Sequence, residues 1–119
     1  MPTPDQSSRK VQSGLLSLEV LSGPDTQTLQ LQGELDLATA AIVETALGEA
    51  LAGDSAKIVI DLSQLTFIDS TGIAILIAAM CSEGGREVRF VASRAPAVNR
   101  VLRLTGVEER MKLSGASDS

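Results

Sequence analysis

Lys57-Ile58-Val59-Ile60-Asp61-Leu62, followed after a short loop by Phe67-Ile68-Asp69-Ser70-Thr71-Gly72, is the stretch on which the fold turns. Its first half is a near-continuous β-branched run, the pattern of a strand covered on both faces or central in its sheet. The sheet centre is expected there. In the second half Phe67 and Ile68 read as apolar anchors, and Asp69 and Ser70 are preferred cap residues that satisfy the first unpaired N–H groups of a helix. The run from Ile73 to Met80 is apolar all round, so its helix, expected from Ile73 to about Glu83 and closed by Gly84-Gly85, needs cover on most sides. The tip carrying the Ser70 hydroxyl must nevertheless emerge at the end of the strand that the chain has just left.

Working outward toward the N-terminus, Leu15 to Leu21 is apolar-rich with partial alternation, and Ser22-Gly23-Pro24-Asp25 breaks it as a turn does. Thr28 to Leu35 then alternates, with Leu29 and Leu31 inward and Gln30 and Gln32 outward, which completes a hairpin. Asp36 or Thr39 is placed to cap a helix from about Ala38 to Ala52, whose Ile42, Val43, Ala46, Leu47, Ala50 and Leu51 share one face. Toward the C-terminus, Glu87 to Ala92 reads as a strand. Pro96 opens a helix running to Leu104 with Val98, Val101 and Leu102 inward, Gly106 stops it, and Met111 with Leu113 suggests a short edge strand. The expected fold class is α/β: one domain over residues 14–113, a mixed β-sheet with crossover helices in the order β-β-α-β-α-β-α-β. Residues 1–13 are expected to form a disordered arm and 114–119 a flexible tail.

Composition narrows the function classes. The chain has 119 residues, one domain's worth. Its aromatics are two Phe with no Trp or Tyr, which leaves no stacking platform for single-stranded nucleic acid or an aromatic cation cage. A formal charge of -5 argues against direct nucleic-acid binding. The charge is polarised. Between Leu15 and Gly85 Lys57 is the one basic residue against ten acids, whereas Arg86 to Lys112 holds seven basic residues and three acids. This is either a solvated, polarised surface or an acidic docking face for a basic partner. One cysteine and no histidine exclude an internal disulfide and a multi-cysteine zinc site, and remove the commonest general base. No metal or other cofactor is expected, and a reducing, cytoplasmic setting fits. The longest apolar run, Ile73 to Cys81, is nine residues, about half of the roughly 20 that a membrane span requires. The N-terminal decapeptide lacks the apolar core of a secretory signal.

Four candidate chemistries compete with simple structural roles. Glu34 and Asp36 have the look of paired carboxylates, but without histidine or a second domain they read as turn caps and surface charge. Cys81, late in an apolar helix, reads as inert core. Gly33, Gly53, Gly72 and Gly84-Gly85 match no dinucleotide or Walker pattern, so a small-ligand or nucleotide-binding domain has no visible pocket motif. Asp69-Ser70 has a capping role of its own, and the functional reading rests on the exposed hydroxyl at a helix tip.

Taken with their order and spacing, three segments resemble the STAS domain family, and within it the bacterial anti-sigma factor antagonists. They are Gly33-Glu34-Leu35-Asp36; Ile58-Val59-Ile60-Asp61-Leu62-Ser63 with Phe67-Ile68-Asp69-Ser70-Thr71-Gly72-Ile73; and Ser93 to Val107 with Pro96-Ala97-Val98 and Leu102-Arg103-Leu104-Thr105-Gly106. The resemblance implies a non-enzymatic partner switch. The unmodified protein binds an anti-sigma factor that is also a serine kinase and so frees a sigma factor; phosphorylation reverses this, and a serine phosphatase restores it. It marks Ser70 as phosphoacceptor, with Thr71 the competing neighbour, and Asp36, Asp69, Ser70, Thr71, Gly72 and Ile73 as the partner-binding set. Ala74 stands where these proteins often carry a second glycine, and is expected to stiffen the helix start. Other members of the fold serve as interaction subunits of stress-signalling assemblies or lipid-transport ATPase complexes, and need not be phosphorylated.

Overall fold

The computed structural model describes residues 7–81 and 86–113. Five strands form one sheet in sequence order: β1 (Ser7–Ser13), β2 (Leu16–Ser22), β3 (Thr26–Leu35), β4 (Lys57–Ile68) and β5 (Glu87–Val91). The first three pair antiparallel, while β3 with β4 and β4 with β5 pair parallel. Helices α1 (Ala40–Ala52) and α2 (Ser70–Met80) make the two crossovers, and α3 (Pro96–Leu104) and α4 (Val107–Leu113) follow β5. Both crossovers step across the sheet in the same direction, so right-handed connections lay both helices on the same face.

Burial follows from this. Leu16, Leu18 and Val20 on β2, Leu29 and Leu31 on β3, Ile58, Ile60 and Leu62 on β4, and Val88 and Phe90 on β5 are buried under the helices. Alternate residues such as Glu19, Gln30, Asp61 and Arg89 face outward and keep contact with solvent. The sheet is therefore covered on one face only. The β-branched run of β4 is not doubly covered as expected, since Lys57, Val59 and Asp61 are only half-buried. Nor is β4 the centre: β3 is, because an unexpected strand, β1, adds to the far edge.

That strand corrects the expected disordered arm over residues 7–13; residues 1–6 lie outside those described, as does the 114–119 tail. Arg9 and Val11 pair with Val20 and Leu18 on the helix side, and the Arg9 Nη2 donates to Glu49 Oε1 on α1 at 2.8 Å. The β1–β2 connection is the pair Gly14-Leu15, with a positive φ (52°) at Gly14 alone, as a type II′ hairpin turn requires.

The expected edge strand at Met111 and Leu113 is instead helix α4. Val107 and Met111 are both buried at i, i+4 spacing, and Glu108 and Glu109 sit in the first turn, where the helix dipole favours acids. The observed order is thus β-β-β-α-β-α-β-α-α, still one mixed sheet with crossover helices. Helix α2 ends at Met80, and Glu83 with Gly84-Gly85, the expected stop, lies outside the described residues. Cys81 is consequently the cap residue and exposed rather than core, with Arg110 Nη2 3.8 Å from its sulfur. The end of α1 is closed by Arg86, whose two terminal nitrogens donate to Ala50 O (3.0 Å) and Gly53 O (3.1 Å).

Candidate partner-binding site

Strands β3 and β4 run parallel and finish side by side, with Leu35 opposite Ile68, so the chains leaving them meet at one end of the sheet. Asp69 joins them. Its backbone N–H donates to Leu35 O (3.2 Å), its Oδ1 accepts the Gly72 N–H (3.1 Å) as the N-cap of α2, and its Oδ2 accepts the Leu37 N–H (3.1 Å) of the β3–α1 loop. One carboxylate holds both loops.

Asp36 orders the rest of that loop. Its Oδ1 accepts from the N–H groups of Ala38 (3.0 Å) and Thr39 (3.1 Å), while Thr39 Oγ1 donates to Glu34 O (2.9 Å) and accepts from Asp36 N–H (3.0 Å). Thr39 is the N-cap by position, yet its buried hydroxyl makes no cap bond and ties the loop to the end of β3 instead. Asp36 Oδ1 thus has the turn-capping role expected of it from the sequence.

The close approach of α2 depends on Gly72. A Cβ there would lie 2.6 Å from Ile68 Cγ1 and 2.8 Å from Leu35 Cγ. Gly72 is accordingly buried, and Ile73 is half-buried against the core. Asp36 and Asp69 are half-exposed. Ser70, the first residue of α2, is exposed, and its hydroxyl has no hydrogen-bond partner among the described residues. Thr71 differs from its neighbour: it is half-buried and turned toward α1, at one end of a shallow groove lined by Glu44, Gly48, Leu51, Ala74 and Ala78. The helix expected to be covered on most sides thus leaves a stripe of small residues open, with Ala74 exposed on it.

Sequence reasoning missed the apolar part of this surface. Phe67 is not an anchor; it is 45% exposed while Ile68 is buried. The expected strand ends at Leu62, whereas β4 runs on to Ile68 through an irregularity of the β3–β4 ladder at which Thr66 and Phe67 are both exposed. Leu37, between Asp36 and Ala38, is 77% exposed, and its place outside the inward set of α1 was the available signal. Leu15, in the hairpin turn, is 69% exposed.

The sequence and the fold are similar to those of known proteins. A family model described as "Mlab, STAS domain" matches residues 19–114. The anti-sigma-F factor antagonist RsfB of Mycobacterium tuberculosis is 40% identical over 86 residues, spanning 71% of this chain and 70% of the relative, in both the CDC 1551 and H37Rv strains. A crystal structure of an anti-sigma factor antagonist from Mycobacterium paratuberculosis superposes with a TM-score of 0.74 at 28% identity, covering 100% of this chain and 92% of the other. Unphosphorylated SpoIIAA, also an anti-sigma factor antagonist, matches in fold, with a TM-score of 0.54 at 17% identity over 82% of this chain and 83% of its own. The chain belongs to the STAS domain family.

Proposed function

We propose that this protein is an anti-sigma factor antagonist: a binding protein, not an enzyme, that sequesters an anti-sigma factor in the cytoplasm while Ser70 is unmodified and lets go when Ser70 is phosphorylated. The kinase is the anti-sigma factor itself, and a serine phosphatase resets the switch. The observation that carries the reading is the Ser70 hydroxyl, exposed and without a partner among the described residues, at the tip of a helix whose loop is fixed by Asp36 and Asp69. The 40% identity to an anti-sigma-F factor antagonist supports it.

The magnitudes favour a switch by contact. A phosphoserine adds about -1.5 to -2 charge. A helix N-terminus stabilises such charge by roughly 0.3–1 kcal/mol, up to about 2, so the fold tolerates it. Reversing a partner equilibrium from 1:99 to 99:1 takes about 5.5 kcal/mol, more than the helix dipole supplies. The remainder comes from burying a doubly charged group beside the Asp69 carboxylate against the partner. Incubation with the source organism's anti-sigma-F-type kinase and ATP, followed by mass spectrometry, is expected to add one phosphate at Ser70 and none to Ser70→Ala. Equal modification of Ser70→Ala would move the site, with Thr71 the first suspect. Retrieval of a transporter ATPase in place of a kinase-fold regulator would instead favour a role as an interaction subunit of a lipid-transport complex.

A further inference from the structure

Four large apolar side chains are more than a third exposed among the described residues: Leu15, Leu37, Phe67 and Leu104. Three of them gather at one end of the sheet. Leu15 in the β1–β2 turn, Glu34 on β3 and Phe67 on β4 lie side by side: Leu15 O accepts the Glu34 N–H at 2.9 Å, and Glu34 stands opposite Phe67 just past an irregularity in the β3–β4 ladder. Their chain neighbours Leu16, Leu35 and Ile68 are buried under the helices, whereas Leu15 and Phe67 are 69% and 45% exposed and Glu34 between them is half-buried. With strands about 4.8 Å apart, Leu15 and Phe67 are separated by roughly 10 Å. Leu37 continues the patch around the sheet end, because its N–H is held by the same Asp69 carboxylate that caps the Ser70 helix. Carboxylates of Glu34, Asp36 and Asp69 are interleaved with the apolar groups, and Lys57, the one basic residue between Leu15 and Gly85, sits at the opposite end of β4.

The placement of Leu15 is built in. Gly33, with φ 107°, leaves room for the hairpin: a Cβ on it would lie 2.0 Å from Leu15 O. Strand β1 and the Gly14-Leu15 turn precede the segment matched by the family model, which begins at residue 19.

We infer that Leu15, Leu37 and Phe67 form the apolar centre of the surface that binds the anti-sigma factor, and that the N-terminal hairpin turn contributes Leu15 as a partner-specificity residue. This rests on the function proposed above. The occupant is a protein surface presenting apolar side chains within a basic rim, as the acidic, apolar character of the patch requires. A few residues near the desolvated centre of an interface carry most of its affinity, and a phosphate arriving at Ser70 enters that zone.

The test is isothermal titration of the source organism's anti-sigma-F-type factor against the full chain and four variants: Leu15→Ser, Phe67→Ser, Leu104→Ser and Ser70→Asp. All three apolar positions are exposed, so the folded state and Tm are expected to survive. Phe67→Ser is expected to weaken binding at least about tenfold and Leu15→Ser about fivefold, while Leu104→Ser, 73% exposed on α3 and outside the patch, leaves affinity unchanged. If the wild type binds and Ser70→Asp does not, yet Leu15→Ser and Phe67→Ser bind like the wild type, the apolar-centre inference is overturned and the switch stands. If the wild type itself does not bind, the proposed function and this inference fall together.

Discussion

Asp69 uses its two carboxylate oxygens on two different segments, capping α2 with one and fixing the β3–α1 loop with the other. Replacing it with alanine removes both bonds, and a lost N-cap alone costs about 1 kcal/mol and up to about 2. Asp69→Ala is expected to lower Tm by roughly 4–8 °C per kcal/mol in a domain of this size. Ser70→Ala, which removes an exposed hydroxyl with no partner among the described residues, should move stability by no more than about 0.5 kcal/mol. The pair separates cap from switch: thermal unfolding should respond to Asp69→Ala and ignore Ser70→Ala. At Gly72 two effects oppose each other. Helix propensity favours alanine by about 1 kcal/mol, but the Cβ would meet Ile68 and Leu35 side chains at 2.6 and 2.8 Å, and overpacking typically costs about 1–3 kcal/mol. Gly72→Ala is therefore expected to be destabilising on denaturant titration; a rise in midpoint would show that α2 has slack to move.

At the scale of elements, the strands and helices with a clear period were legible and the amphipathic edges were not. The run 57–62, the alternation through Leu29 and Leu31, and the helical spacing of Val43, Ala46, Leu47 and Ala50 each mark an element that buries one face. β1 escaped because its helix-side positions are Arg9 and Val11, and a long arginine stem covers apolar surface while reading as polar. α4 escaped because seven residues give too few turns to separate a period of 3.6 from one of 2. Strand β4 runs past the expected Leu62 to Ile68, where its free side is taken up by Ser93, whose hydroxyl donates to Leu65 O at 2.7 Å and accepts from Ala95 N–H at 2.9 Å. The candidate site was legible where capping chemistry marks it, at Asp36, Asp69 and Ser70, and illegible where it depends on which way Phe67 points. Two substitutions test the element packing. Gly33→Ala combines a positive φ with backbone overlap at Leu15 O, and is expected to lose at least about 2 kcal/mol, read from chemical denaturation. Arg86→Met keeps the stem but leaves Ala50 O with the Gly53 N–H alone and removes the side-chain donor to Gly53 O at the end of α1, and should cost about 1 kcal/mol by the same measurement.

Across the whole molecule, the five-stranded sheet sets one end apart. The β1–β2 turn, the β3–α1 loop and the start of α2 converge there, tied by Glu34 N–H to Leu15 O and by the Asp69 carboxylate. Loops tied in this way, with an exposed hydroxyl at the tip of α2, suit the proposed exchange of partners by contact. Phosphorylated and unmodified forms are expected to give superimposable far-UV spectra and backbone amide shifts that differ only around residues 67–73 and the 36–39 loop. The most direct measurement is a calorimetric titration of the anti-sigma-F-type factor with the unmodified protein and with the same protein carrying a single phosphate on Ser70. Tight binding is expected of the first and at least about a thousandfold weaker binding of the second, with an unchanged fold. Equal affinities for the two forms, or a loss of binding accompanied by unfolding of the phosphorylated chain, would contradict the proposed switch.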